Sequence, residues 1–79
     1  MAKFTDTRIF GPYASDAPDA HCAVDANGGS VTIVAMMSDD TEVAVDGATI
    51  TVDSTFKVQV ANGRFKVTPA GGAFYEWVV

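Results

Sequence analysis

Turn-forming clusters divide this chain into segments too short for anything but strands. They are Gly11-Pro12, Asn27-Gly28-Gly29, Ser38-Asp39-Asp40, Asp46-Gly47, Asn62-Gly63 and Gly71-Gly72. Short alternating segments bounded by such signals are the pattern of an antiparallel sandwich or barrel. The spacing predicts an all-β fold of about six to seven short strands. The one helical candidate, Ala14 to Ala20, is broken by Pro18, because proline lacks the N–H and clashes with the preceding turn.

"FKVQVANGRFKVTP", residues 56–69, reads as two strands over one turn. Asn-Gly suits a type I′ hairpin, which needs positive φ at both central residues. A two-residue loop would set Val60 opposite Phe65, Gln59 opposite Lys66 and Val58 opposite Val67. Side chains alternate along a strand. Phe56, Val58, Val60, Phe65 and Val67 therefore share an apolar face. Lys57, Gln59, Arg64, Lys66 and Thr68 share a face that carries three cations. A lone hairpin is marginal in water, so the apolar face needs a cover.

The rest of the chain repeats this grammar. Phe4 to Phe10 is extended, and residues 11–19 read as an ordered loop or arm. Cys22 to Asp25 makes a short strand. "SVTIVAMM", residues 30–37, is apolar on both faces and reads as the central, most buried strand. "TEVAVDGATITVD", residues 41–53, reads as a second hairpin with Asp46-Gly47 at its tip and Val43 opposite Ile50. "AFYEWVV" is the final strand. Residues 1–19 form an N-terminal strand or arm and loop, and 20–79 a β-domain, within one domain overall.

At 79 residues a single core supplies only about 3–5 kcal/mol. Cys22 is the one cysteine and His21 the one histidine, so neither an internal disulfide nor a zinc cluster is expected. Self-association is the remaining support. No apolar run reaches the roughly 18 residues of a membrane helix, and the first residues lack the apolar region of a signal peptide. A net charge of -5 argues against nucleic acid and anionic membranes as partners.

The charge is unevenly placed. No cation lies between residues 9 and 56, a stretch with eight acids, whereas the two ends hold five cations and two acids. One reading is a solvated surface with no further meaning. The other is a dipolar subunit whose basic hairpin face meets an acidic face of a neighbour, a heterologous contact.

Nothing in the sequence forms a catalytic constellation. His21 and Cys22 are neighbours and point to opposite faces of a strand, out of the mutual reach a nucleophile and base need. Cys22 reads as a small core hydrophobe and His21 as a surface or interface residue. Asp39, Asp40 and Glu42 lack the oxygen set of a calcium loop, and turn chemistry accounts for the two aspartates. Met36 and Met37 read first as core gap-fillers and second as an adaptable contact surface. No cofactor is expected.

The chain ends are more apolar than termini usually are. Alternation puts Phe74, Glu76 and Val78 on one side of the last segment and Tyr75, Trp77 and Val79 on the other. Either this segment closes the sheet, or Tyr75 and Trp77 anchor another subunit, as these residue types do at interface hot spots. Phe4, Phe10 and Tyr13 raise the same question. The interface candidates are therefore Phe4, Phe10, Tyr13, Lys57, Arg64, Lys66, Tyr75 and Trp77.

The texture of "DGATITVDSTFKVQVANGRFKV", within a small acidic all-β chain, resembles the small virion proteins of tailed bacteriophages, especially head-decoration or cement proteins. The resemblance implies a non-enzymatic structural protein of the virion, assembled in the host cytoplasm. It implies a homo-oligomer, with a trimer favoured, bound to a capsid or tail protein, and residues 1–19 as an arm. The alternative is a monomeric module that recognises a carbohydrate or protein surface through an exposed row of Tyr13, Tyr75 or Trp77.

Overall fold

A computed structural model describes residues 3–79, except for the side chains of residues 46–48. The chain forms seven strands: β1 (Arg8–Phe10), β2 (Ala20–Asp25), β3 (Ser30–Met36), β4 (Glu42–Ile50), β5 (Ser54–Val58), β6 (Phe65–Ala70) and β7 (Phe74–Val78). They make two antiparallel sheets, one ordered β1-β6-β3-β4 and the other β5-β2-β7. This is the small all-β sandwich that the turn spacing predicts.

The core lies between the sheets. One layer contributes Val31, Ile33, Phe65 and Val67, and the other Ala20, Cys22, Val24, Tyr75 and Trp77, all buried. Each is an alternate residue of its strand, the period-2 consequence of a pleated backbone with one wet face. Burying one large side chain contributes about 1.5–3 kcal/mol. Cys22 is fully buried and His21 exposed, as their opposed orientations require.

The two expected hairpins do not form. β5 pairs with β2, and β6 pairs with β1 and β3, so the halves of residues 56–69 lie in different sheets. The turn at Asn62-Gly63 is real: the Gly63 N–H donates to the Val60 carbonyl at 2.7 Å. Its φ is positive at Asn62, +61°, and at neither Ala61 nor Gly63. That is the pattern of a type II turn, not type I′. Val60, fully buried, plugs the core where the chain crosses between layers. The split lets Phe56 and Val58 face Phe65 and Val67 across the interior. A flat hairpin would have set them side by side on one face that still needed a cover.

At Asp46-Gly47 no reversal occurs, and β4 runs through as one strand of nine residues. Its pairing with β3 shifts register between Thr32 and Val34. Val43 therefore lies opposite Ala35, and Ile50 opposite Val31. A bulge absorbs the extra residues at the signal that suggested a tip.

β3 is an interior strand of its sheet, but only its Val31 and Ile33 face is fully buried. Among the described residues no second layer covers the other face. Met36 is half-buried on that outer side and Met37 is 53% exposed, so the methionines do not fill the core.

One end of the sandwich is sealed by two touching turns. A Cβ on Gly29 would lie 1.9 Å from the Ala70 carbonyl oxygen, so this approach requires glycine. At the other end residues 11–19 pack on the Asn62 turn. The Tyr13 N–H donates to the Gly63 carbonyl, and the Asn62 N–H to the Ala14 carbonyl.

Candidate interaction surface

The aromatic residues of the two chain ends meet one another. Phe4 pairs with Tyr75 through two backbone hydrogen bonds of 2.8 and 3.1 Å. This single bridge brings the N-terminal segment beside β7. Phe10 then stacks on Trp77 with ring centroids 5.0 Å apart, and Phe4 lies 5.4 Å from Tyr75. Such ring pairs add about 0.5–1.5 kcal/mol beyond their buried area. The polar tips are satisfied: the Trp77 indole donates to the Tyr13 hydroxyl, and the Tyr75 hydroxyl donates to the Asp6 carbonyl. Burial, with Asp6 nearby, pushes the Tyr75 phenol up to about 12.

Of the two readings of the chain ends, the structure has the one in which they pack within the subunit. Tyr75 is 1% and Trp77 7% exposed, and Phe4, Phe10 and Tyr13 are half-buried against the same core. The exposed aromatic row that the alternative binding module needs is therefore missing from the described residues.

The cations are also redistributed. Because β5 and β6 belong to different layers, Lys57 lies on the outer face of the three-stranded sheet and Lys66 on that of the four-stranded sheet. Arg64, just before β6, extends beside the β3–β4 turn. No continuous basic hairpin face exists. Arg64 donates to Asp40 at 2.5 Å and to the Met37 carbonyl, and Lys66 donates to Glu42 at 3.0 Å. In the same turn Asp39 is held below the usual carboxylate range by hydrogen bonds from Thr41, its side chain first and its N–H second.

The outer face of the three-stranded sheet differs. Directly opposite residues of antiparallel strands share a face. The register therefore lays out three rows: Lys57–His21–Val78, then Thr55–Ala23–Glu76, then Asp25–Phe74. Among the described residues Lys57, Asp25 and Glu76 are not ion-paired. A shallow groove of about 240 Å³ opens over the last two rows, lined by Lys3, Ala23, Asp25, Phe74 and Glu76 among others. The Lys3 ammonium sits 4.8 Å from the Phe74 ring centroid, a cation–π distance.

Exposed apolar side chains lie elsewhere. β4 is an edge strand of the four-stranded sheet. Val45 and Ile50 still pack on the core. Val43 points to the core side with Ala35 yet is 47% exposed, and Met37 beside it is 53% exposed. The alternation of Phe74, Glu76 and Val78 was legible in the sequence. His21 was legible as a surface or interface residue, whereas Asp25 and Val43 were missed, because their placement depends on which strands pair. Among the described residues no group of three or more His, Cys, Asp or Glu is placed to hold a metal ion, and no helix is long and apolar enough to cross a membrane. Compared with family models, curated proteins and solved structures, the chain matches none.

Proposed function

We propose that this chain is a non-enzymatic structural protein that self-associates and decorates or cements a phage particle, capsid or tail. The observation that supports assembly is the exposed apolar edge at β4. Val43 faces the core side of the edge strand β4 yet is 47% exposed, and Met37, where the chain turns from β3 to β4, is 53% exposed. An open apolar edge is a template for association with another chain. The aromatic residues of the chain ends fill the subunit's own core and leave this edge to carry association. Placement on a phage particle rests on the texture of the sequence alone.

The test is sedimentation. In a tailed-phage lysate that contains the chain, an antibody to it should detect it with heads or tails in a density gradient. The Val43→Asp variant, which leaves the core untouched, should stay at the top of the gradient. A wild-type chain that never sediments with particles would overturn the reading.

A further inference from the structure

We propose that the outer face of the three-stranded sheet pairs with the same face of a second copy about a two-fold axis. This deepens the assembly role and rests on it. The axis runs across the strands, above the Thr55–Ala23–Glu76 row.

Such an axis reverses the order of the rows and keeps each strand over its own counterpart. His21 of one copy then lies over Asp25 of the other, and Val78 over Phe74. Lys57, on the strand next to His21, reaches the same Asp25. The rows that meet are four residues apart along β2, about 13 Å, so the contact forms twice at well-separated points. Ala23 in the middle row has the smallest side chain of the three and permits close approach. Each copy brings its exposed Lys57 and His21 to the groove beside Asp25 and Glu76 of the other.

Charge bookkeeping within the subunit singles out this face. On the four-stranded side, Arg64 and Lys66 are neutralised by Asp40 and Glu42 of the same subunit. On the three-stranded side, Lys57 and Asp25 are held apart on opposite rows, and neither has an ion-pair partner among the described residues. The symmetry supplies both partners at once. An isologous contact closes at two copies, so this face makes pairs and not the trimers that the family resemblance implies. Three strands by five residues cover on the order of 300 Å² per copy. That is well below the roughly 800 Å² per partner of a standard interface, so the pair is weak and sensitive to salt.

A charge exchange tests the contact, with sedimentation equilibrium up to millimolar protein at low salt. Lys57→Glu sets a glutamate against Asp25, and Asp25→Lys sets two lysines together. Each variant alone is expected to weaken pairing roughly ten-fold. An equimolar mixture should recover nearly wild-type pairing, because both contacts of the mixed pair are attractive. Recovery also shows that both variants fold. Wild-type pairing that neither variant disturbs, or a mixture that stays monomeric, overturns this contact and leaves the assembly role standing. A wild-type chain that is monomeric throughout, and that binds a cationic peptide in the groove instead, also overturns it. The particle sedimentation above judges the assembly role separately.

Discussion

The Trp77 indole N–H donates to the Tyr13 hydroxyl at 2.8 Å, across 64 residues of chain. The bond ties the loop after β1 to the last strand and satisfies a donor at the edge of the core. Tyr13→Phe removes the acceptor and keeps the ring. It should cost about 1–3 kcal/mol, since the indole N–H is left without a partner. Urea unfolding followed by Trp77 fluorescence measures this, and an unchanged midpoint would mean that water replaces the hydroxyl.

Gly29 and Gly28 provide a paired test of the turn-on-turn contact. A Cβ at Gly29 meets the backbone of Ala70 and Gly71, whereas one at Gly28 meets nothing within 4 Å and only has to tolerate a φ of +81°. Gly28→Ala should cost roughly 1–2 kcal/mol. Gly29→Ala must part the two turns and should cost clearly more. Equal melting temperatures for the two variants would contradict the approach.

Alkaline pH should unfold the protein through two groups. Burial raises the Cys22 thiol from 9.0 to about 11 and, with Asp6, the Tyr75 phenol from 10.0 to about 12. Both are favoured neutral in the folded state. Their contribution is fully present below the unfolded values and is lost as pH climbs from about 9 to 12. Each group contributes at most about 2–3 kcal/mol, and less where solvent screens the charged form. Cys22→Ala should flatten the early part of the fall, measured as urea midpoints against pH. The same burial should keep the thiol from reacting with a disulfide reagent until the chain unfolds.

The ion pairs of Arg64 and Lys66 are surface pairs, with Asp40 71% and Glu42 47% exposed. Asp40→Asn and Glu42→Gln should each change stability by less than about 1 kcal/mol, and less still in high salt. A larger loss for Asp40→Asn would show that the link from Arg64 to the Met37 carbonyl depends on the pair.

Glu76 occupies the middle row of the proposed pairing face, where the two-fold axis sets it near its own copy, with Lys3 lining the same groove. Glu76→Gln removes a like-charge contact and should tighten pairing severalfold at low salt. Sedimentation equilibrium reads the change, and weaker pairing would move the axis away from this row.

What the sequence by itself determined was the orientation of side chains. Phe56, Val58, Val60, Phe65 and Val67 point inward, while Lys57 and Lys66 point outward, as period-2 alternation requires whichever strand pairs with which. Short segments and turn residues likewise settled the all-β class, and the pairing of His21 outside with Cys22 inside followed from one strand. The partners of the strands were decided only by the tertiary structure. A positive φ at Asn62 serves a hairpin and a crossing between sheets equally well, and the choice depends on how the two apolar faces find cover. The same holds for Asp46-Gly47, where pairing with β3 turns a reversal signal into a bulge. The pairing face was half legible for this reason. Phe74, Glu76 and Val78 share a side through their own strand, but β2 brings His21 and Asp25 beside them through contacts distant in sequence, and local alternation carries no information about those.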